Sequence, residues 1–371
     1  MKSSSEFGWR GRWIAWRNRL LASRRFQRFA VRFPLTRPIA RRRARGLFDL
    51  VAGFTYSQIL AACIQTRLLD VLADGPRDSA ALAAQLNLPL AGTERLLRAA
   101  AALGLVEPLG THWVLGSGGA ALRGNRGIAE MVAHHHLLYA DLADPVALLR
   151  RGGGGGALSR LWHYAEDPGA GDAAAVAAYS ALMAASQPLV AAQATDAYPF
   201  HRHRRLLDVG GGEGVFLTAV ADRAPRLELA LFDLPAVADR ARARFGGAPG
   251  RSVHVVGGDF LRDPLPSGYD IVTLIRILHD HDDDAAMTLL RNIHAALPPG
   301  GVLFIAEPMA RTPGAEPAGD AYFGMYLLAM GSGRPRSYGE IATMLRAAGF
   351  GRVRRLATTL PLTACALIAT R

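Results

Sequence analysis

The second half of the chain alternates between short apolar segments and helical ones, and this alternation constrains the fold more than any other feature. Helical patterns such as residues 285–297 separate the apolar segments. The predicted strands are residues 206–209, 229–233, 253–256, 270–275 and 302–306. Strands that alternate with helices form a parallel, doubly wound α/β sheet, which binds ligands at the carboxyl ends of its strands. We therefore predict a Rossmann-like domain over residues 201–371.

A glycine-rich turn follows the first of these strands. Asp208 ends the strand, and Gly210, Gly212 and Gly214 lie in the turn that opens the next helix. Glycine lets the backbone turn sharply and approach a ligand closely, because it has no β-carbon. An ordinary strand-to-helix turn would look similar. The dinucleotide pattern Gly-x-Gly-x-x-Gly requires glycine at position 215, where Val215 stands, so the spacing disfavours NAD.

Acidic residues end the next two predicted strands. Asp233 is placed to accept hydrogen bonds from ribose hydroxyls, and Leu234 follows it. Asp259 can accept from an adenine amino group, and the ring of Phe260 can cover the base. We assign Arg276, at the end of the fourth strand, to the same site. The sequence has no Gly-x-x-x-x-Gly-Lys-Ser/Thr loop, which disfavours triphosphate hydrolysis, so the strand ends indicate another nucleoside-containing cofactor.

With these motifs the sequence resembles class I S-adenosylmethionine-dependent methyltransferases. Within them it is similar to the O-methyltransferases that join a winged-helix dimerisation domain to a Rossmann-like catalytic domain, over about residues 47–371. The resemblance implies that the glycine turn contacts the methionine moiety of the methyl donor, Asp233 its ribose, and Asp259 with Phe260 its adenine. It also implies a homodimer, S-adenosylmethionine as the co-substrate and no metal.

A histidine follows the fourth predicted strand, at the edge where the cofactor is expected. His279 begins the run His-Asp-His-Asp-Asp-Asp, and an imidazole with an ordinary pKa of about 6.5 suits a general base. The resembling family carries its base here, in the pattern His-Asp-aromatic, and His281 stands at the aromatic position. A capping or surface histidine, or a metal cluster with the aspartates, would also fit. Asp282, Asp283 and Asp284 precede a helix, whose N-terminus favours carboxylates without a metal.

Glu307 is the second predicted catalytic residue. It ends the fifth strand, 28 residues after His279, and adjacent strand ends lie close together in a parallel sheet. Its carboxylate could hold the imidazole in one tautomer and stabilise its cation. The resembling family places an orienting glutamate here, and many plant members have another in a Gly-Lys-Glu-Arg-Thr stretch. This chain has Pro335 in that place, so we expect His279 to be held less tightly or by another partner.

Two segments rich in methionine and aromatic residues are predicted to line the acceptor. Tyr179 and Met183 lie in one of them, and Phe323, Met325 and Tyr326 lie in the other. Such residues at helical spacing also fit an ordinary core. An apolar and adaptable lining would suit a long hydrophobic acceptor.

The chain is similar, more narrowly, to the bacterial hydroxyneurosporene and demethylspheroidene O-methyltransferases of carotenoid biosynthesis in purple phototrophs. The arginine-rich N-terminal arm, residues 47–58 and residues 323–337 carry this resemblance, which implies methylation of the C-1 hydroxyl of an acyclic carotenoid. A phenol, a polyketide or a bacteriochlorophyll acceptor stays open, as does a winged-helix regulator that only senses a ligand. In the enzyme, the acceptor oxygen would lose its proton to His279 as it attacks the sulfonium methyl in line.

Residues 47–119 show a winged-helix pattern of helices followed by a short strand pair. The predicted second helix carries only Arg95 and Arg98 as cations, which is poor for contact with phosphates. We therefore favour a role in dimerisation or in covering the substrate over a role in nucleic-acid binding.

Residues 120–200 are predicted to be a helical connector that lines the substrate region. The five glycines at residues 152–156 predict a flexible loop within it. His134, His135 and His136 are adjacent, so on a helix they point in different directions and do not share one metal ion.

Residues 1–46 form a basic N-terminal arm. Residues 1–50 carry 14 Lys and Arg against two acidic residues, and this excess of 12 equals the net charge of the whole chain. One face of a helix here would carry Trp9, Trp13, Trp16 and Leu20. Such a helix could lie in an anionic membrane surface, or pack on the protein or on a partner subunit.

Other features of the sequence bear on the compartment. Cys63 and Cys365 are far apart and predict neither a disulfide framework nor a metal site. No segment offers about 20 uninterrupted apolar residues, and the N-terminus lacks the apolar core of a secretory signal. We expect the protein in the cytoplasm or on a membrane surface that faces it.

Overall fold

The computed structural model describes residues 8–162, 173–247 and 252–371 of a chain that divides into two units, Met1–Gly119 and Ala120–Arg371. In the first unit the elements are α1 (Gly8–Ala22), α2 (Arg24–Arg32), α3 (Arg37–Gln65), α4 (Leu68–Ala73), β1 (Arg77–Asp78), α5 (Ser79–Leu86), α6 (Leu90–Ala102), β2 (Val106–Leu109) and β3 (His112–Leu115). Helix α7 (Ser117–Arg123) spans the division.

The winged-helix pattern is confirmed by the arrangement of β1, β2 and β3. These strands form an antiparallel sheet in the order β1-β3-β2. Asp78 caps α5, because its side chain accepts a hydrogen bond from the Ala81 amide at 2.8 Å. The indole of Trp113 on β3 donates to the Ser79 hydroxyl at 3.0 Å, which ties the wing to the start of that helix.

Helix α3 is long and apolar enough, by length and composition, to cross a membrane. Only 11% of its most apolar stretch is buried. Asp49 and several polar residues interrupt its apolar run, so this property was not predicted. The helix leaves large side chains exposed, including Leu47, Phe48, Leu50 and Val51.

The second unit continues the chain after α7. Its elements are α8 (Arg126–Asp141), α9 (Pro145–Arg150), α10 (Ala157–Trp162), α11 (Ala173–Ala197), β4 (Arg205–Val209), α12 (Val215–Arg223), β5 (Glu228–Asp233), α13 (Pro235–Gly246), β6 (Val253–Gly257), β7 (Ile271–Ile275), α14 (Asp283–Ala296), β8 (Val302–Glu307), α15 (Gly324–Met330), α16 (Tyr338–Ala347), β9 (Val353–Leu356) and β10 (Cys365–Thr370).

Strands β4 to β10 form one mixed sheet in the order β6-β5-β4-β7-β8-β10-β9. The predicted strands correspond to β4, β5, β6, β7 and β8, and they pair in parallel. Strands β9 and β10, which are antiparallel to their neighbours, were not predicted. The chain places β5 and β6 on one side of β4, and β7 and β8 on the other. A doubly wound sheet binds its ligand at such a switch point.

Side chains from both faces of the sheet are buried. Along β4, Leu206 packs into one hydrophobic cluster, and Leu207 and Val209 pack into the other, because successive strand side chains point to opposite faces. All five residues of β7 are buried, which explains why the central strands appear in the sequence as continuous apolar runs.

The five-glycine segment 152–156, for which composition predicts a flexible loop, makes specific contacts in the structure. The Gly154 amide donates to the Leu328 carbonyl at 2.9 Å. A β-carbon at Gly153 would lie 2.5 Å from that same carbonyl oxygen. The Asp141 carboxylate then accepts from the amides of Ala157 and Leu158, at 2.7 and 2.8 Å. The glycines permit close packing on the end of α15, and the contacts define one conformation.

Candidate active site

A cavity of about 980 Å³, which includes its open mouth, lies at the carboxyl ends of β4, β5 and β7 in the second unit. Its lining combines the glycine turn after β4, both strand ends beside it and one face of α11. The lining residues that the sequence predicted as cofactor ligands are Gly210, Gly212, Asp233, Leu234, Asp259, Phe260 and Arg276. Ser180, Met183 and Gln187 of α11 complete the wall.

The glycine turn has side chains packed behind it and open space at Gly212. Gly210, Gly212 and Gly214 all have positive φ, which favours glycine. A β-carbon at Gly210 would lie 2.5 Å from Ile277, and one at Gly214 would overlap the ring of Phe245. No atom lies within 4 Å of a β-carbon built on Gly212. The backbone can therefore approach a bound molecule at this point, as the methionine end of the donor would require.

Asp233 is held at the end of β5 by backbone amides. Its Oδ2 accepts from Gly212 and its Oδ1 from Leu234, both at 2.8 Å. Burial raises the pKa of Asp233 to about 6. Asp259 lies across the cavity mouth, where its Oδ1 accepts from the Leu261 amide at 2.9 Å. Both carboxylates line the cavity, and both keep acceptor capacity for hydroxyl or amino donors.

Asp208 lies behind the glycine turn and does not line the cavity. The Thr273 hydroxyl donates to its Oδ1 at 2.6 Å, and its Oδ2 is buried without a hydrogen-bond partner among the described residues. Burial raises the pKa of Asp208 to about 7. A β-carbon at Gly211 would lie 2.8 Å from that Oδ2, so this side chain supports the turn from below.

Arg276 follows β7 with a φ of 60°, in the left-handed region that non-glycine residues seldom adopt. Its amide donates to the Ala306 carbonyl at 2.9 Å, and its guanidinium donates to the Ser186 hydroxyl at 2.8 Å. The sulfur of Met183 lies 3.1 Å from the same guanidinium. Strained residues cluster at functional sites. Here the strain redirects the chain from the strand into the turn that carries His279.

His279 lies in a single 3₁₀ turn, Leu278–Asp280, and is 2% exposed. Its Nε2 lies 3.2 Å from Oδ1 of Asp280, and the ring centroid lies 5.6 Å from that of Phe323. Burial, and then the charge of Arg276, lower the pKa of His279 to about 3. Burial raises the pKa of Asp280 to about 8. Both shifts favour the uncharged forms of the two side chains, and Asp280 is the partner that faces the cavity.

Glu307 lies beside His279 but bonds to its backbone rather than to its ring. Its Oε2 accepts from the His279 amide at 3.1 Å and also from the Leu278 amide. Burial raises the pKa of Glu307 to about 7. Its Oε1 and Nδ1 of His279 are both buried without a hydrogen-bond partner among the described residues. In this structure no hydrogen bond joins Glu307 to the imidazole, and the carboxylate bonds to the backbone of the turn through Oε2.

The remaining residues of the His-Asp run have separate partners. His281 packs its ring edge-on against Phe260, with centroids 5.3 Å apart. Asp282 occupies the N-cap position of α14 without capping it, and accepts instead from the Gly333 amide at 2.9 Å. Asp283 pairs with two arginines of the segment that follows α15. In the described parts of the chain, no three metal-binding side chains are grouped to hold an ion.

The predicted acceptor residues are only partly brought together. The side chain of Tyr179 lies outside the described residues. Met183 lines the cavity, Phe323 packs on His279, and Met325 and Tyr326 belong to an apolar cluster with α8, α9 and α10.

Two of the three adjacent histidines also reach this cluster. His134 lies 3.3 Å from the Tyr326 hydroxyl, and His135 lies 2.7 Å from that of Tyr322. The third, His136, bonds to its own helix at the Ala133 carbonyl. The histidines thus separate as predicted, and two of them bond to tyrosine hydroxyls of another segment.

Comparison with known proteins decides the family. Residues 139–351 match the O-methyltransferase domain family, and residues 48–112 match the O-methyltransferase dimerisation domain family. The chain belongs to the O-methyltransferase family. It is an S-adenosylmethionine-dependent enzyme, and the cavity, the glycine turn and the strand-end carboxylates fit that co-substrate.

Relatives of this O-methyltransferase cover nearly its full length. It is 44% identical to the demethylspheroidene O-methyltransferase of Cereibacter sphaeroides, over 95% of this chain and 94% of the relative. Identity to the demethylspheroidene O-methyltransferase of Rhodobacter capsulatus is 42%, over 92% and 86%. The structure of the mitomycin 7-O-methyltransferase MmcR matches with a TM-score of 0.73 at 25% identity, over 90% of this chain and 100% of that one. These findings do not favour a regulator that only senses a ligand.

Proposed function

We propose that this O-methyltransferase methylates a hydroxyl of an acyclic carotenoid, the C-1 hydroxyl of a demethylspheroidene type of acceptor. The identity of 44% to a demethylspheroidene O-methyltransferase over nearly the whole chain carries this proposal. Two residues support it: Phe323 packs against His279, and Met183 lines the cavity. An apolar acceptor requires apolar surroundings of this kind.

In the proposed reaction His279 is the general base. S-adenosylmethionine supplies an electrophilic methyl group on a sulfonium. An imidazole with a pKa of about 3 is uncharged at neutral pH and can accept a proton, but it is too weak a base to form a free alkoxide. Proton transfer to His279 must therefore accompany methyl transfer. Burial of the ring beneath Phe323 keeps water away while the charge moves.

The cofactor roles are proposed residue by residue. The turn that contains Gly210, Gly212 and Gly214 would hold the methionine end of the donor, Asp233 and Leu234 its ribose, and Asp259 with Phe260 its adenine. Arg276 lines the same cavity, and its positive charge would lie beside the bound donor. Asp208 would act indirectly, by supporting the turn from behind.

The test is product analysis by mass spectrometry, with S-adenosylmethionine and a panel of detergent-solubilised acceptors. A 1-hydroxy acyclic carotenoid should gain one methyl group, and phenols should not. Methylation of phenols with no reaction of the carotenoid would overturn the acceptor assignment. His279→Ala should lose turnover while calorimetry still detects S-adenosylmethionine binding. Full turnover in that variant would reject the base.

We also propose a homodimer through the first unit. The match to a dimerisation domain supports it, as do the exposed apolar side chains of α3, such as Leu50 at 81% and Val51 at 84%. A second copy of the chain would cover them. Light scattering should give twice the chain mass, and Val51→Glu should shift it toward one chain; a monomeric wild type would refute this proposal.

The basic arm is proposed to contact an anionic membrane surface, where an apolar acceptor would dissolve. The exposed faces of α1 carry Trp9 at 75%, Trp13 at 51% and Trp16 at 56%. Residues 8–48 contain 13 arginines and no acidic residue. Each arginine near such a surface contributes about 1 kcal/mol, and tryptophan favours the headgroup boundary.

Sedimentation with vesicles tests this contact. The wild type should bind vesicles that contain phosphatidylserine and dissociate as salt rises, whereas the triple alanine variant of the tryptophans should bind weakly. The matched control replaces three other exposed apolar residues by alanine, namely Leu109, Leu149 and Leu360. Equal sedimentation of both variants and the wild type would refute a role for the arm.

A further inference from the structure

The segment between α15 and α16 holds the turn that carries His279 by its carbonyl groups. Ser332 donates through its hydroxyl to the Asp280 carbonyl at 2.9 Å, and the Arg334 amide donates to the His279 carbonyl at 2.9 Å. Arg336 donates through Nη1 to the Leu278 carbonyl and through Nη2 to the His281 carbonyl, both at 2.7 Å. Four consecutive carbonyls of residues 278–281 are therefore bound by one neighbouring segment.

Arg336 is the residue in this segment that bonds to both ends of the turn. Its side chain is fully buried, and its charge is balanced by Asp283, whose Oδ1 accepts from Nε at 2.9 Å and from Nη2 at 2.7 Å. Burying an arginine is costly unless its charge is paired and its donors are satisfied. Only the planar, forked guanidinium can reach both carbonyls and the carboxylate at once, and a lysine ammonium cannot.

We propose that Arg336 is a positioning residue for the base, which fixes the backbone of residues 278–281 so that the His279 imidazole keeps its orientation. Pro335 has no side-chain group that could hold the ring by a hydrogen bond. Glu307 bonds to the amides of the same turn and Arg336 to its carbonyls. Together they hold the main chain of the turn, and the ring is held through the main chain. The inference depends on the proposed role of His279.

Arg336 also acts on the imidazole through its charge. The charged and titratable groups that face His279 are Arg276, Arg336, His281, Asp280 and Glu307. The two arginines and His281 hold the pKa of His279 low, after burial. Removal of the charge at position 336 should therefore raise this pKa, whereas a lysine there would keep the charge and lose the fork.

Two substitutions separate these effects. Arg336→Lys should lower kcat about 10- to 100-fold, because a small misplacement of a catalytic group has effects of this size. Its affinity for S-adenosylhomocysteine, measured by calorimetry, should stay within about threefold of wild type. The pH profile of its kcat should be unchanged in shape.

Arg336→Met should lower kcat at least as far and move the acidic limb of the kcat profile to higher pH. Arg311→Gln is the matched control, since that arginine bonds to Ser337 but not to the turn, and it should retain wild-type kcat.

The outcomes are distinguishable from failure of the proposed function. If the wild type does not methylate the carotenoid acceptor, the proposed function fails first. If the wild type is active, wild-type kcat in Arg336→Lys would overturn the positioning role. Loss of kcat in proportion to a lower melting temperature, with donor affinity lost as well, would also overturn it, because that pattern indicates a general folding defect.

Discussion

Replacement of Glu307 by glutamine tests how this buried carboxyl is protonated. Burial raises its pKa from 4.5 to about 7. A carboxyl with a raised folded-state pKa binds its proton more tightly in the folded chain than in the unfolded chain. Its contribution to stability is therefore complete below pH 4.5 and is lost as pH rises through about 7. Glutamine has no charge at any pH, so Glu307→Gln should remove this pH dependence.

The size of the effect follows from the shift. About 2.5 pKa units at about 1.36 kcal/mol each correspond to about 3 kcal/mol. For a unit of this size, that is a change of about 6 °C in melting temperature. Between pH 5 and pH 8 the melting temperature of the wild type should thus fall by about 6 °C more than that of the variant. Buried Asp208 and Asp233 titrate in both proteins, so the comparison cancels their contributions. The charge of Glu307 also raises the pKa of Asp280, so the variant removes that coupling together with the titration of Glu307 itself.

Thermal unfolding followed by circular dichroism at pH 5 and pH 8 provides the measurement. The control is Glu316→Gln, because that glutamate is exposed and its replacement should leave the pH dependence unchanged. Parallel curves of melting temperature against pH for Glu307→Gln and wild type would refute the reasoning. The same variant should keep most of its turnover, because an amide oxygen still accepts from the His279 amide.

Three further substitutions have distinct expected outcomes. Asp233→Ala should weaken S-adenosylmethionine binding by about 10- to 100-fold in calorimetry, since hydrogen bonds to a charged group contribute about 1.5–3 kcal/mol, while kcat at saturating donor is largely kept. Gly214→Ala should lower both donor affinity and melting temperature, because its β-carbon would overlap Phe245 at positive φ; unchanged values would count against the tight turn. Gly333→Ala would push a β-carbon into the carbonyl of His279, and should lower kcat with little effect on donor affinity. Retained kcat there would show that the turn tolerates displacement.

The fold was predictable where burial leaves a strong pattern in the sequence. Strand β7, which is buried on both faces, is a continuous apolar run and was found. Strand β10 is a similar run near the end of the chain and was not predicted. Strand β9 contains Arg354 and Arg355 and shows no such run, so it was missed. For residues 152–156, the run of five glycines predicts a flexible loop. The conformation in the structure includes a hydrogen bond to the distant Leu328 carbonyl, which composition does not predict.

The candidate site was predictable to the level of strand ends. Topology alone brings Asp233, Asp259 and His279 to one edge, so spacing along the chain located them. The contact of Glu307 with amides instead of the imidazole depends on side-chain rotamers, which the sequence does not encode locally. Arg336 was overlooked because an arginine between a proline and a serine is typical of an exposed loop, and only the fold shows that it is buried.

The turn after β7 has one more consequence, which follows from its place between two ligands. Ile275, Arg276 and Ile277 line the cofactor cavity, and His279 lies two residues further along. A conformation of residues 275–277 that the bound donor stabilises would therefore also affect the position in which His279 meets the acceptor. Thermodynamic reciprocity then requires that each substrate change the affinity of the other by the same factor. Coupling between the two substrates would thus arise within a few peptide units, without movement of any domain.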